Sequence, residues 1–274
     1  MTVSLNIDLL KAAYFPFDKP VPYKLGDKMI EIKPVKVVDS ALYSASEGIL
    51  RIDKNAINDV KIIQMSYLQF ISDVLIPSDS MYATSLGTIL LLCLDMKEPM
   101  LQRDERNRPY LQDGDIVIKP NHFEEIMRII LYQNDARYDD EYINPDLKKA
   151  MQDMDRLKAK GMEPPNLERR MAIITAHTGV PKKDLLEMTL RSFDALFSEV
   201  VGEVEFLTTR ALVLYSGQAD KADHWLFPKK KDKFDGYITD VGDYSKSMGG
   251  DGRVKTSSNT SLSDSYTNIL NNFK

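Results

Sequence analysis

Residues 167–217 read LERRMAIITAHTGVPKKDLLEMTLRSFDALFSEVVGEVEFLTTRALVLYSG, and the spacing of apolar side chains in this stretch decides the fold class. Leu167, Met171 and Ile174, then Leu185, Leu186 and Met188, then Leu190, Phe193, Leu196, Phe197, Val200 and Val204 recur at helical intervals through three segments. The punctuation agrees. Thr178-Gly179-Val180-Pro181 forms a stop and restart, with Gly suited to the position after a helix and Pro to the first helical position, and Thr189 is placed to cap a third helix. The stretch predicts a compact helical unit with one apolar face. It carries a single His and no carboxylate pair at metal-ligand spacing, so its chemistry points to holding another molecule rather than transforming one.

At 274 residues the chain can bury a full core, and 43% hydrophobic with 28% charged residues is ordinary for a globular protein. A formal net charge of −5 argues against general nucleic-acid binding, which needs a basic surface. The lone Cys93 lies in the apolar run Ile89 to Leu94 and reads as a buried thiol; one cysteine permits no disulfide within the chain. No basic-then-apolar leader opens the sequence and no apolar run reaches the length of a membrane span, so the expected location is the cytoplasm, without a membrane partner.

Outward from the helical unit, residues 1–20 read as an irregular arm. From Val21 to Val38 the pattern is that of a hairpin turning at Gly26-Asp27, with Pro34 marking an edge, and Ser40 to Glu47 predicts a short helix stopped by Gly48, with a strand at Ile49 to Ile52. Ile57 to Ile76 predicts one helix closed by Pro77. Met81 to Met96 predicts a second, in which Gly87 marks close packing. Residues 97–114 read as a polar loop, Ile116 to Ile118 as a strand, and His122 to Asn134 as a helix begun by Pro120 and Asn121. After the acidic, aromatic connector Tyr138 to Tyr142, Asn144 and Pro145 begin a helix to Lys160 whose stripe of Leu147, Met151, Met154 and Leu157 is thin. Such a helix packs lightly or awaits a partner. Residues 203–215 fit a helix, though Val204, Phe206 and Thr208 also alternate like a strand.

The expected fold is therefore mainly α with a small N-terminal β-hairpin region: residues 1–56 as arm and hairpin, 57–216 as helical core, and 217–274 as an extended C-terminal arm. That arm sets Trp225, Phe227, Phe234 and Tyr237 around Lys229, Lys230, Lys231 and Lys233 before a run rich in Gly, Ser, Thr and Asn. Basic residues among aromatics can stack single-stranded nucleic acid, but residues 217–274 carry nine basic and eight acidic side chains, which leaves almost no field for phosphate. A helix-turn-helix reading of the central unit meets the same objection, since Asp194 and Glu199 oppose Arg191 alone on the would-be reading helix.

His122, His177 and His224 stand apart and form no HxxxH or HExxH pair; Gly249-Gly250-Asp251-Gly252 lacks the flanking strand and helix of a phosphate loop; Asp139-Asp140-Glu141 lacks the alternation of a calcium loop. No GxSxG elbow occurs. The sequence names no catalytic residue, no metal site and no cofactor, and the expectation is that this is not an enzyme.

Three quoted stretches carry a family resemblance: IMRIILYQN at 126–134, YINPD at 142–146, and LERRMAIITAHTGVPKKDLLEMTLRSFDALF at 167–197. Over about residues 120–216 the chain resembles tail assembly chaperones encoded among the tail genes of long-tailed bacteriophages that infect Gram-positive bacteria. The resemblance implies a protein that binds the apolar tape-measure protein until tail-tube subunits polymerise around it, acting in the host cytoplasm, with self-association possible. The larger N-terminal region and the length of the chain keep open a second reading, a structural subunit of the tail, baseplate or hub retained in the virion. The residues expected to meet a partner are Met151, Met154 and Leu157 on the thin-striped helix and Trp225, Phe227 and Phe234 in the arm.

Overall fold

The computed structural model describes residues 6–57, 59–141, 145–158, 161 and 163–215. Trp225, Phe227, Phe234 and the rest of the expected C-terminal arm lie outside the described residues. The fold is mainly α with two small sheets. Among the described residues two units separate: the first runs from residue 6 to 141 and again from 163 to 215, and the second holds one helix and is described by itself.

The chain opens with helix α1 (Ile7–Ala13), where an irregular arm was expected. Asn6 caps it by accepting the Leu9 N–H at 3.0 Å, and Leu10 and Phe15 are buried, so the Ile7/Leu10 spacing was a helical signal too short to stand out. The hairpin follows as expected: β1 (Val21–Leu25) pairs with β2 (Lys28–Ile32) in antiparallel register from Val21↔Ile32 to Leu25↔Lys28. Gly26, at φ 61°, supplies the left-handed turn residue. β2 ends at Ile32, so Pro34 falls beyond the strand and not on its edge.

Helix α2 (Ser40–Ser46) is as read, but Gly48 does not stop the helical path: α3 (Gly48–Arg51) takes the place of the expected strand at Ile49 to Ile52. The Glu47–Arg51 ion pair, one turn apart at 3.0 Å, and burial of Ile49 and Leu50 on one side suit a helical turn. The single helix expected over 57–76 is broken. Helix α4 (Val60–Gln64) ends at an extended Met65, and Ser66 recaps the chain by accepting the Gln69 N–H at 3.2 Å. Helix α5 (Tyr67–Phe70) then passes through a π-helical turn (Ile71–Leu75) into α6 (Ile76–Ser78), so Pro77 sits inside the final turn instead of closing the helix before it.

Helix α7 (Met81–Leu94) buries Leu86, Ile89, Leu90, Cys93 and Leu94. A Cβ on Gly87 would meet nothing within 4 Å, so close packing is not the reason for that glycine. Residues 97–114 form two strands instead of a loop: β3 (Met100–Arg103) and β4 (Pro109–Asp113) join β5 (Ile116–Ile118) in an antiparallel sheet of order β3-β4-β5. The register Leu111↔Ile118 sets two buried apolar side chains of β4 and β5 on the core, while β3 stays at the exposed edge and Asp104 holds the turn by accepting the N–H groups of Arg106 and Arg108 at 2.9 and 2.8 Å.

Helix α8 (Pro120–Asn134) begins with Pro120 and is the hub of the first unit, with Phe123, Ile126, Ile129, Ile130 and Leu131 buried. The main apolar cluster draws on α1, both hairpin strands, α2, α3, α5, α7, β4, β5 and α8, so residues on both sides of position 56 share it. Helix α9 (Pro145–Lys158) is the helix of the second unit.

The central helical unit is α10 (Leu167–Thr178), α11 (Lys182–Glu187) and α12 (Leu190–Tyr215), which resolves 203–215 as helix. Gly179 ends α10 at φ 75°, its N–H bonded to the Thr175 carbonyl at 2.9 Å. Pro181 sits at the N-cap of α11, one place before the first helical position expected for it. Thr189 caps α12 by accepting the Ser192 N–H at 3.2 Å.

A second, smaller cluster of Val37, Ile174, Leu185 and Phe193 packs this unit. Val37 enters this cluster from the body and Leu190 packs against the main one, and hydrogen bonds add to that attachment. Val37 N–H bonds the Met188 carbonyl at 2.8 Å, Leu190 N–H bonds the Val35 carbonyl at 2.9 Å, and Val35 N–H bonds the buried Asn134 amide oxygen at 2.7 Å. Asp18, at φ 55°, accepts the hydroxyls of Thr189 and Ser192, the latter at 2.7 and 2.9 Å. Replacing Asp18 with Ala is expected to cost about 1–2 kcal/mol, because a cap-type carboxylate and a residue tolerant of the left-handed region are lost together. Asp18→Asn should recover part of it; thermal unfolding of both variants is the check, and an unchanged Asp18→Ala midpoint would contradict this role.

Candidate protein-binding surface

Helices α10 and α12 run side by side in the same general direction, as two polar pairs separated along them show: Arg170 with Asp194, and His177 Nε2 with Glu203 Oε2 at 2.8 Å. The Arg170 guanidinium also lies 5.0 and 4.7 Å from the Phe193 and Phe197 ring centres, a cation over two aromatic faces. His177 is in the last turn of α10, and the helix stops at Thr178. Its neighbour does not. Residues 204–215 carry α12 on for about 18 Å at 1.5 Å per residue.

The apolar seam continues along that extension. Phe193, Phe197, Val200, Val204, Leu207 and Ala211 are spaced alternately by four and three residues, the pattern of a helix that packs along another helix. Phe193 and Val200 are buried and Phe197 packs against the smaller cluster. Beyond them Val204 is 48% exposed and Leu207 55%, and off the seam Leu212 and Tyr215 are exposed further still. The change comes where α10 ends. Exposed apolar residues grouped along one helix mark interaction surfaces more often than those scattered singly.

Of the residues expected to bind a partner, α9 presents Leu147, Met151, Met154 and Leu157 along one side; Leu157 is 69% exposed, while Met151 and Met154 are half-buried. Trp225, Phe227 and Phe234 fall outside the described residues. The second half of α12 was missed as a site because its stripe was read as core. The legible signal was its length: the seam outruns the twelve-residue helix α10 that covers it.

Other groups singled out in the sequence are occupied by the fold. His122 Nδ1 lies 3.0 Å from the Tyr23 hydroxyl, which donates to Glu125. Asp140, read as part of a solvated acidic connector, is instead an anchor, accepting the Arg128 Nε–H and the Tyr132 hydroxyl at 2.6 Å each. Arg191 turns inward to the Tyr132 carbonyl at 2.8 Å, with its guanidinium 5.6 Å from the Phe15 ring, so it does not face outward from α12. Cys93 is fully buried, and burial pushes its thiol up to about 12, which keeps it protonated at neutral pH. Among the described residues no three His, Cys, Asp or Glu side chains gather as a metal site would require, and no helix is long and apolar enough to cross a membrane.

The class that fold and surface define is a mainly α protein with two small sheets and a helix whose apolar seam extends past its partner. No family model, curated protein or solved structure matches the chain.

Proposed function

We propose that this chain holds another polypeptide through apolar helical surfaces, as a phage tail morphogenesis protein of the tail assembly chaperone type, with an apolar tape-measure protein as the partner. The observation that carries the reading is the seam of α12, which is buried from Phe193 to Val200 and exposed from Val204 onward. A seam with helix-packing spacing can accept an amphipathic helix from another chain, and α9 offers Leu157 for a second contact. The resemblance over residues 120–216 supports the partner class. The work takes place in the host cytoplasm and calls for no cofactor and no catalytic group.

The test is co-expression with an apolar tape-measure protein of a long-tailed phage, scoring how much of that protein stays in the supernatant. The full-length chain should raise the soluble fraction several-fold. An unchanged fraction would sink the proposal. Mass spectrometry of purified virions separates the retained-subunit alternative, which requires this chain at stoichiometric amounts where a chaperone is absent.

A further inference from the structure

Tyr23, on β1, meets two residues of α8, and the protons shared among the three side chains can be placed from the geometry. The Tyr23 hydroxyl lies 3.0 Å from His122 Nδ1 and donates to Glu125 Oε2. The Tyr23 and His122 rings meet edge to face, with centroids 5.9 Å apart and planes at 81°. Tyr23 is buried, so the arrangement is held from the hairpin side as well as from the helix. His122 and Glu125 stand three residues apart on α8, the spacing that sets two side chains on one helix face.

A carboxylate carries no proton and only accepts, whereas a phenol has one proton to give and lone pairs with which to accept. The one proton of Tyr23 is committed to Glu125. Burial, with Glu125 beside it, holds the Tyr23 hydroxyl well above the ordinary phenol range, so the phenol keeps that proton. What is left for His122 is a Tyr23 lone pair, and a ring nitrogen bonded to a lone pair must itself carry a hydrogen. The hydrogen of the neutral imidazole therefore belongs at Nδ1, the form that a histidine side chain in water adopts less often. Nε2 is left bare. It bonds no described residue and is not sealed from solvent by the fold.

We propose that Glu125 and Tyr23 are positioning residues that hold His122 as its Nδ1–H tautomer, so that the bare Nε2 stands beside the hairpin as a hydrogen-bond acceptor open to solvent. The order carboxylate, hydroxyl, imidazole orients the ring as a carboxylate bonded directly to Nδ1 does, and the outer nitrogen is the one that takes a proton or a hydrogen bond. The chemistry that matches Nε2 is an N–H or O–H donor; a carboxylate finds nothing there to bond. This assignment does not depend on the protein-holding function.

The experiment uses the full-length protein labelled with nitrogen-15 and reads the histidine ring nitrogens by two-bond proton–nitrogen correlation, at an alkalinity where the spectrum shows the rings neutral. His122→Gln identifies the signals of His122 by their loss. In the unsubstituted protein Nδ1 should fall in the protonated range and Nε2 in the bare range. Tyr23→Phe removes the acceptor, and Glu125→Leu frees the phenol proton for donation to Nδ1, so each should move the hydrogen to Nε2 while circular dichroism keeps the helix content unchanged. A loss of packing alone would not reverse the two nitrogens. His122 carrying its hydrogen at Nε2 in the unsubstituted protein, or keeping it at Nδ1 in either folded variant, would overturn the proposal. The spectrum of the unsubstituted protein decides even where a variant fails to fold.

Discussion

Replacing Phe193 with Ala is expected to lower stability by about 3–5 kcal/mol, the range for deleting a fully buried aromatic side chain. Phe193 is 1% exposed and is the largest member of the smaller cluster, whose other buried residues are Val37, Ile174 and Leu185. The same ring supports the Arg170 guanidinium, so its removal also loosens the Arg170–Asp194 pair that aligns α10 with α12. Urea unfolding followed by circular dichroism, compared with Leu207→Ala as an exposed control, measures the difference. A loss below about 1 kcal/mol would mean that the central helical unit is held chiefly by its backbone bonds to Val35 and Val37.

The second large effect falls on binding. If the proposed function holds, Val204→Lys with Leu207→Lys should reduce capture of the proposed tape-measure partner about tenfold or more, since two exposed apolar side chains become charges that a partner would have to bury. Stability should be almost untouched, because both residues are about half exposed and little apolar area is lost from the fold. The soluble-fraction assay reads the first effect and a thermal melt the second. A double variant that melts several degrees lower would assign this part of α12 to the core, and one that captures its partner normally would move the binding surface elsewhere.

Much of the architecture was legible from periodicity. The Leu167–Val200 spacing, the Gly179 stop and the Thr189 cap give α10 to α12, and the Gly26-Asp27 turn gives the β1–β2 hairpin, because these signals are local. Two of the misses depend on distant partners. β3 and β4 were read as loop because Arg103, Asp104, Glu105 and Arg106 hide the short alternation, and only the pairing of Leu111 with Ile118 on the core reveals it. Ile49 to Ile52 looked like a strand by β-branching but continues the helical path of α2, where burial of Ile49 and Leu50 decides the outcome. The break at Met65 was signalled by Ser66, a cap residue inside an apolar stripe.

For the site, the sequence pointed to apolar helical surfaces but not to which part of α12 is left open, since exposure there depends on where α10 ends.

Hydrogen exchange across α12, with and without the proposed tape-measure partner, tests the central claim most directly. Amides of residues 204–215 should exchange faster than those of 190–200 in the isolated chain and become protected on binding, while the first half of the helix changes little. Protection of 204–215 already present in the isolated chain, or no gain when the partner is bound, would contradict it.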